Sequence, residues 1–367
     1  MNAVQDKDFQ NEELRGLPRE KRRSGSGETL VRLRGVKKHY PVKGGFFRRS
    51  VEFVRAVDGV DLDILSGETL GLVGESGCGK STLGKLIIRL EEATSGTIEF
   101  AGLDLRQLDV KGMRARRRDM QVIFQDPYSS LNFRRTVGQT IEEPFIIHGI
   151  PLGREERRER VLKLMEEVGL RPEQIDRYPH EFSGGQRQRI GIARAVALKP
   201  RLIICDEPVS ALDVSIQGQV INLLQDLQEK YRLTYLFIAH DLSVVRHIST
   251  RVAVMYLGRI VEIASNDQLY EKPLHPYTEA LISASPVPSP KAKRERIVLE
   301  GDVPSPMDPP SGCHFHPRCP RAFQACRERV PELAEIDQGH AVRCLLAQAQ
   351  HFFWKPITFR KLFTAGE

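Results

Sequence analysis

The spacing of apolar residues changes along the chain, and each spacing predicts a different kind of element. Residues Leu30 to Tyr40 alternate in the manner of a strand, with Leu33 and Val36 set among basic residues. Residues Thr69 to Val73 are almost wholly apolar, as expected of a buried parallel strand. Further strands are predicted at residues 54–64, 96–100, 120–124, 202–206 and 234–238, and around Val252 and Ile260.

Helical spacing dominates the middle of the chain. Between about residues 128 and 182 the sequence becomes more polar, and one face carries apolar residues at i, i+3, i+4 and i+7: Val161, Leu164, Met165 and Val168. We interpret this region as a helical insertion into an α/β core. Other helices are predicted from about Lys80 to Arg89, after Ser183, and along a later apolar stripe of Ile216, Val220, Leu223, Leu224 and Leu227.

Proline becomes frequent after about Asn266, and we expect little regular structure there. The pattern predicts an appended segment wrapped on the core, or a small separate lobe. We therefore divide the chain into a disordered tail at 1–28, an α/β unit at 29–265, an extension at 266–350 and a second tail at 351–367. No internal repeat is present, which predicts a single copy of the α/β unit.

Composition and charge add little to this division. The 367 residues carry a net charge of +7, with basic clusters at 21–23, 48–49 and 114–118 that predict solvated faces or contacts with anionic lipid or nucleic acid. No apolar run approaches the ~20 residues needed to span a bilayer. The first residues lack the apolar core of a secretory signal. We expect the protein to stay in the cytosol unless a partner holds it at a membrane.

A glycine-rich loop follows the apolar strand at Thr69 to Val73, and it precedes a predicted helix. In such a loop the backbone N–H groups converge on phosphate oxygens, and the helix start adds a partial positive charge. Lys80 would reach the β- and γ-phosphates, and the Ser81 hydroxyl can ligate Mg²⁺. The loop reads Gly74, Glu75, Ser76, Gly77, Cys78, Gly79, Lys80, Ser81 and Thr82.

Carboxylates and amides follow other predicted strands. Asp206 ends a buried strand, where a carboxylate is costly unless it binds something, and Mg²⁺ binding satisfies it. Glu207 can polarise an attacking water. Gln125 and His240 each follow a strand. Alone, Gln125 would be interpreted as a surface residue and His240 as a structural histidine, but beside the phosphate loop both become candidate catalytic residues. Tyr40 is either a packing residue or a ring that stacks on a base.

A second glycine-rich helix start lies at Ser183-Gly184-Gly185-Gln186. Ser183 is the N-cap, and two glycines permit close approach of the backbone to an anion. The plain interpretation is a simple helix cap. Because one phosphate loop already holds the triphosphate, we expect the second helix start to serve a nucleotide held by another subunit.

Four of the six cysteines crowd into residues 313–344, and a reducing cytosol argues against disulfides. Four thiolates suit Zn²⁺ or an iron–sulfur cluster, yet the gaps are wider than usual zinc spacing and do not match ferredoxin runs. Reduced thiols without a ligand are the alternative, and His314 and His316 are nearby substitutes. The cysteines are Cys313, Cys319, Cys326 and Cys344.

In combination these motifs resemble those of ATP-binding-cassette ATPases over about Leu30 to Ile263. The family order is the phosphate loop, Gln125, Phe182 to Gln186, Asp206-Glu207, Ser210 to Asp213 and His240. The resemblance implies an α/β phosphate-loop (RecA-like) core with an antiparallel β subdomain and a helical subdomain. It also implies a head-to-tail dimer that sandwiches two ATP molecules, in which Ser183 and Gly185 bind the γ-phosphate across the interface and Asp213 links the sites. Phe182 stands where leucine is commoner.

Within that family the chain is similar to ATPase subunits of dipeptide and oligopeptide importers. The similarity lies in residues 75–82, 125–132 and 177–182, and in the C-terminal segments His275 to Thr278 and Pro306 to Cys313. It implies a [4Fe-4S] cluster at the four cysteines, two transmembrane permease subunits, an extracytoplasmic solute-binding protein, and a place at the cytoplasmic face of the membrane. Importers of other small solutes share these features.

We therefore expect an importer ATPase in which Glu207 assists hydrolysis, with no nucleic-acid partner. A soluble ATPase acting on nucleic acid is the alternative, although such proteins usually carry paired cassettes or long coiled-coil insertions. A third hypothesis is a regulatory module that binds ATP without turnover. The intact Asp206, Glu207 and His240 argue against it.

Overall fold

The computed structural model describes residues 27–42, 52–285 and 296–354, and this part of the chain forms two β-sheets packed with helices. Its strands are β1 Thr29–Val42, β2 Glu52–Leu65, β3 Thr69–Val73, β4 Ser95–Phe100, β5 Leu103–Asp104, β6 Met120–Ile123, β7 Leu202–Asp206, β8 Thr234–Ile238, β9 Arg251–Tyr256, β10 Arg259–Ser265, β11 Ala334–Asp337 and β12 His340–Val342. Its α-helices are α1 Lys80–Ile87, α2 Val110–Arg116, α3 Pro127–Ser130, α4 Val137–Ile147, α5 Arg154–Glu167, α6 Gly184–Val196, α7 Val214–Tyr231, α8 Leu242–Ile248, α9 Asn266–Glu271, α10 Pro276–Ala284, α11 Gln324–Glu328 and α12 Leu345–Trp354.

The smaller sheet is antiparallel, with strand order β2-β1-β4-β5. Its inward positions are apolar and fully buried on the central strand, where Val31 pairs with Ile64 on one side and with Phe100 on the other. The register shifts near Val36, where β1 bends. This sheet is the expected antiparallel β part of the fold, and it carries Tyr40 near its exposed end.

The larger sheet has strand order β11-β12-β10-β9-β3-β8-β7-β6, and its run from β9 to β6 is parallel. All residues of β3 and β8 are buried, which explains their continuous apolar sequences. Parallel strands place their carboxyl ends at one edge of the sheet, where ligands of α/β proteins bind. Asp206 is the last residue of such a strand, and the phosphate loop, Gln125 and His240 lie just beyond such strand ends.

Between residues 127 and 182 the regular structure is helical, as the periodicity predicts. Helix α4 begins with a capping box, in which Thr136 and Gln139 satisfy each other's backbone N–H groups. The apolar face predicted for this segment is buried in the main core. Val161, Leu164 and Met165 lie on α5, and Val168 directly follows its last residue.

The expectation of little regular structure after residue 266 is wrong. Helices α9, α10 and α12 form there, and β12 pairs with β10 so that the large sheet continues into the extension. Pro276 does not break α10 because it is the first helical residue, where no intrahelical N–H bond is lost. Tyr277 and Phe315 belong to the same buried cluster as the central strands, so the extension wraps on the core.

A buried carboxylate holds the extension to the sheet. Glu262 on β10 is fully buried, and it accepts a hydrogen bond from His340 Nε2 at 2.7 Å. It also accepts from the backbone N–H groups of Leu274 at 2.7 Å and His275 at 2.9 Å. A buried carboxylate is costly unless it is satisfied in this way. One side chain therefore joins two segments of the extension to β10.

Several sequence predictions fall outside the described residues. These are nearly all of the 1–28 tail, most of the loop at 41–50, most of the 351–367 tail, and the basic clusters at 21–23 and 48–49. The proposed boundaries of the four units stay predictions. Among the helices of the described ranges, none combines the length and the apolar character needed to cross a bilayer.

Candidate active site

The phosphate loop joins β3 to α1, and its conformation requires glycine. Gly79 caps α1 with a positive φ of 107°. A Cβ atom there would lie 2.1 Å from the carbonyl oxygen of Ala56, and one at Gly74 would lie 2.1 Å from that of Met255. Neighbouring backbone therefore presses against the loop on two sides, and side chains cannot enter. Ser76 and Gly77 at the tip of the loop are exposed.

Lys80 lies at the start of α1 and is only 5% exposed. Its ammonium donates hydrogen bonds to the carbonyl oxygens of Gly74 at 2.7 Å and Glu75 at 3.0 Å. The Cys78 sulfur lies 3.8 Å from the same ammonium, and burial raises the pKa of this thiol. The ammonium group of Lys80 therefore lies inside the loop, at the place where phosphate oxygens would bind.

Ser81 and Asp206 meet beside the loop, as the sequence predicts for a magnesium site. The Ser81 hydroxyl donates to Asp206 Oδ1 at 2.7 Å. Burial raises the pKa of the Asp206 carboxyl, and the charge of Glu207 adds to this effect while Ser81 opposes it. A desolvated carboxylate next to a hydroxyl is the oxygen pair that Mg²⁺ takes, with phosphates and water completing its coordination. The residues present therefore fit Mg²⁺.

Glu207, Gln125 and His240 come together at the ends of three neighbouring strands. The Glu207 carboxylate accepts a hydrogen bond from Gln125 Nε2 at 2.9 Å, and the same oxygen lies 3.4 Å from His240 Nδ1. The Glu207 backbone has a φ of 46°, which is strained for a residue with a side chain. Its N–H donates to the Ile238 carbonyl at 2.9 Å, which fixes this conformation. Strain of this kind concentrates at functional sites.

Tyr40 lies on β1, outside the loop itself. Its hydroxyl donates to the Glu91 carboxylate and lies beside Thr82, and its pKa is raised to about 12 by burial and by Glu91. The Lys38 ammonium stands 4.8 Å from the ring centroid. The ring is thus held in a polar surrounding near α1, and its stacking on a base stays a prediction.

The second glycine-rich segment begins α6 on the surface. Ser183 and Gln186 form a capping box: the Ser183 hydroxyl accepts from the Gln186 N–H at 3.4 Å, and Gln186 Oε1 accepts from the Ser183 N–H at 3.1 Å. Ser183 and Gly184 are exposed. A Cβ atom at Gly185 would lie 2.6 Å from Ile216 Cγ2, so this glycine also has a packing role. Asp213, at the start of α7, is likewise exposed and its side chain does not cap the helix.

The four clustered cysteines line one pocket, together with His275 and His316. Burial raises the pKa of the Cys313 thiol to about 11, and it also raises those of Cys319 and Cys344. Among the described residues, no three His, Cys, Asp or Glu side chains form a group that could hold a metal ion. The structure thus brings the four thiols to one pocket without forming a site for a single ion.

Two contacts to the loop were not predicted from the sequence. The Arg318 guanidinium pairs with the Glu75 carboxylate, and the Tyr277 hydroxyl accepts a hydrogen bond from the Glu75 N–H. Both residues come from the extension. Tyr277 lies in the segment that carries the resemblance to peptide-importer subunits, which is the signal that could have pointed to it. Arg318 lies outside the motifs named in the sequence analysis.

Comparisons with known proteins agree with this geometry. The family described as "ABC transporter" matches residues 57–210, and "Oligopeptide/dipeptide transporter, C-terminal region" matches residues 261–326. The oligopeptide transport ATP-binding protein AppF of Bacillus subtilis is 56% identical over 322 residues, which cover 87% of this chain and 98% of that relative. The dipeptide transport ATP-binding protein DppF of Haemophilus influenzae is 51% identical over 315 residues, covering 86% and 96%.

Solved structures give the same fold. A dimeric post-hydrolysis structure of the ATP-binding cassette MJ0796, bound to ADP and Pi, has a TM-score of 0.58 and 30% identity, and it covers 65% of this chain and 99% of that one. The described residues form the phosphate-loop α/β core and antiparallel sheet that the sequence predicts. The chain therefore belongs to the ABC transporter ATPases, and within them to the ATP-binding proteins of the oligopeptide and dipeptide type.

Proposed function

We propose that this ATPase powers the uptake of peptides, or of a related small solute, across the cytoplasmic membrane. The observation that carries the proposal is the meeting of Gln125, Glu207 and His240 beside the Ser81–Asp206 pair, in a chain whose C-terminal region matches that of oligopeptide and dipeptide transporters. The relatives named are transport proteins, so the nucleic-acid alternative is not favoured.

The chemistry follows from the strand-end residues. Lys80 and the loop N–H groups bind and orient the triphosphate. Glu207 accepts a hydrogen bond from the attacking water, while Gln125 and His240 hold the Glu207 carboxylate in place. Ser81, Asp206 and Gln125 would hold Mg²⁺, which when bound neutralises charge on the phosphate oxygens. Positioning and charge stabilisation account for most of the catalysis in such sites.

The second half of each nucleotide site comes from another ATPase subunit, either a copy of this chain or a related one. Support comes from the exposed start of α6, where the backbone N–H groups of a helix with two glycines face solvent. Ser183 and Gly185 would approach the γ-phosphate held by the partner. Asp213, exposed at the start of α7, would connect the two sites.

The membrane partners are two permease subunits, which receive solute from an extracytoplasmic binding protein. The ATPase would sit peripherally at the cytoplasmic face. Exposed apolar side chains support a docking surface near the site, because Phe124 directly precedes Gln125, and Tyr128, Ile146 and Ile147 lie on the helical segment. A helix of each permease would press on this group when the two ATPases close.

The four cysteines bind a [4Fe-4S] cluster in this proposal. The supporting observation is that Cys313, Cys319, Cys326 and Cys344 line one pocket. A cluster places one thiolate on each iron, so its ligands surround a larger volume than those of a single Zn²⁺ ion. Protein purified without oxygen should show the visible absorbance of an iron–sulfur centre, and colourless protein containing zinc would support the alternative.

Glu207→Gln tests the proposed mechanism in the transporter complex purified with its permeases. Loss of the base should lower ATP hydrolysis by about 100-fold or more while nucleotide binding is retained. Glu99→Gln is the control, because Glu99 lies on β4 of the antiparallel sheet and not at the carboxyl ends of the large sheet. Undiminished hydrolysis in Glu207→Gln would remove this residue from its role. Vesicles containing the complex should accumulate labelled peptide only with ATP; salt-sensitive binding of RNA or DNA instead would favour the alternative.

A further inference from the structure

The extension makes a direct ionic contact with the phosphate loop. Arg318 Nη1 donates to Glu75 Oε2 at 2.8 Å, and Nη2 donates to Oε1 at 3.1 Å. The Arg318 side chain is only 8% exposed. Two parallel bonds between a guanidinium and a carboxylate form a strong and geometrically specific pair. Arg318 therefore fixes both the charge and the orientation of the Glu75 side chain.

The backbone of Glu75 is held as well. Its N–H donates to the Tyr277 hydroxyl at 2.8 Å, and its carbonyl oxygen accepts from Lys80 at 3.0 Å. Burial keeps the Tyr277 pKa far above its ordinary value, so the hydroxyl stays neutral. Two of the groups that hold this loop residue, Arg318 and Tyr277, come from the extension. The conformation of the loop is thus set partly from outside the cassette.

Tyr277, the residue that binds the Glu75 N–H, belongs to a cluster of three aromatic rings. Tyr256 and Tyr277 have ring centroids 4.7 Å apart, and the Phe315 ring lies 5.2 Å from Tyr256 and 5.4 Å from Tyr277. All three rings are almost completely buried. Because a packed aromatic layer does not shift easily, movement of Phe315 would be passed to Tyr277 and to the loop.

The segment that carries Arg318 also lines the thiol pocket. Residues His316–Arg318 form one short 3₁₀ turn between Cys313 and Cys319. Backbone bonds make it rigid: the N–H groups of His316, Arg318 and Cys319 donate to carbonyl oxygens three residues earlier in the chain. Cys319 directly follows Arg318, so a shift of the backbone at Cys319 would move the base of the Arg318 side chain.

We propose that Arg318 is a positioning residue for the phosphate loop. We also propose that a structural change in the thiol pocket alters the affinity of the loop for nucleotide through Arg318. By pairing with Glu75 it neutralises a carboxylate beside the triphosphate site and holds the loop ready for phosphate. The proposal goes beyond the proposed function because it concerns regulation of the nucleotide site and does not depend on which solute is carried.

The first test measures the affinity of the full chain for a fluorescent ATP analogue. Arg318→Gln should weaken binding about tenfold, which lies within the usual range of coupling between sites, and Arg318→Lys should recover part of the loss. In the assembled transporter KM for ATP should rise more than kcat falls. The control is Arg34→Gln, because Arg34 makes the same kind of two-bond pair with Asp63, at 2.7 and 2.8 Å, on the antiparallel sheet and outside the thiol pocket.

Equal affinities of Arg318→Gln and Arg34→Gln would overturn the proposal. A double-mutant cycle with Glu75→Gln guards against a simple folding defect: the two single losses should not add, because each breaks the same pair. Additive losses would show that the pair is not the cause. If the unaltered chain binds no nucleotide, the proposed function fails instead, so the two failures are distinguishable.

Transmission from the thiol pocket has a separate readout. Cys319→Ser should change the affinity for the ATP analogue in the chain that contains Arg318, and it should add nothing in the Arg318→Gln variant. Circular dichroism confirms that each variant is folded. Cys319→Ser with unchanged affinity, or with the same effect in both backgrounds, would overturn this part of the proposal.

Discussion

Helices α1 and α6 both begin with glycine-rich segments suited to phosphate, yet their surroundings are opposite. The start of α1 is enclosed: Lys80 is buried, Asp206 bonds to Ser81, and the extension grips Glu75. The start of α6 is on the surface, where the side chains of Ser183 and Gln186 accept hydrogen bonds from each other's backbone N–H groups. One segment is a site built by a single chain. The start of α6 has groups suited to phosphate, but it is exposed to solvent.

This difference teaches why the two helix starts would depend on partners to different degrees. A helix N-terminus favours an anion through its N–H groups and its dipole, but the effect is weak in water. The loop before α1 gains strength from burial, whereas α6 needs a second molecule to exclude solvent. If the dimer proposal holds, changes at α1 should affect the binding of ATP by one chain, and changes at α6 should affect only the closed pair.

The largest effect is expected for Lys80→Ala. Removing the buried ammonium takes away the main charge that faces the triphosphate, so affinity for nucleotide should fall by about 100-fold or more. Equilibrium binding of a fluorescent ATP analogue measures the loss. Lys85→Ala is the control on the same helix. Lys85 is exposed, and its ammonium pairs with Glu91 at 3.8 Å and not with the phosphate loop. Similar losses in both variants would contradict an enclosed site at α1.

Ser183→Ala should separate the two helix starts. It should leave nucleotide binding by the isolated chain unchanged, but lower hydrolysis by the assembled pair by about 100-fold, as expected for one transition-state donor. Thr136→Ala is a matched control, since Thr136 forms the same capping box on α4. Each variant should lose about 1 kcal/mol of unfolding free energy. Equal hydrolysis rates in the two variants would reduce Ser183 to a simple cap.

Gly185→Ala should give a smaller effect that sharpens the comparison further. The added methyl group would meet Ile216 Cγ2 at 2.6 Å, so we expect about 1–3 kcal/mol of destabilisation, measured by thermal or denaturant unfolding. Adding Ile216→Ala should relieve this clash. If Gly185 also admits a partner's phosphate, stability should return while hydrolysis stays low. Recovery of both would indicate that packing alone requires the glycine.

Much of the nucleotide site could be predicted because its residues follow apolar strands in the sequence. Glu207, Gln125 and His240 are far apart along the chain, yet each comes directly after a buried parallel strand or one residue beyond it. The periodicity therefore predicts their convergence at one sheet edge. The backbone strain at Glu207 could not be predicted, because glutamate gives no signal for a positive φ.

The extension was harder to predict, for two physical reasons. Frequent proline predicts broken helices, but Pro276 occupies the first helical position, which tolerates it. The Arg318–Glu75 pair joins residues 243 positions apart, and an arginine in a charged sequence carries no information about such a partner. The number and spacing of the cysteines predict a shared role, and the structure adds that they line one pocket.

The pairing of β12 with β10 has a consequence for any shortened form of this protein. A chain ending before residue 334 would leave β10 as an outermost strand, with unpaired backbone groups next to buried Val261 and Ile263. Such an edge recruits strands from other molecules. The Glu262 carboxylate would at the same time lose its hydrogen bond from His340. The minimal nucleotide-binding cassette, cut out of its own extension, should therefore be prone to aggregate even though its phosphate loop is intact.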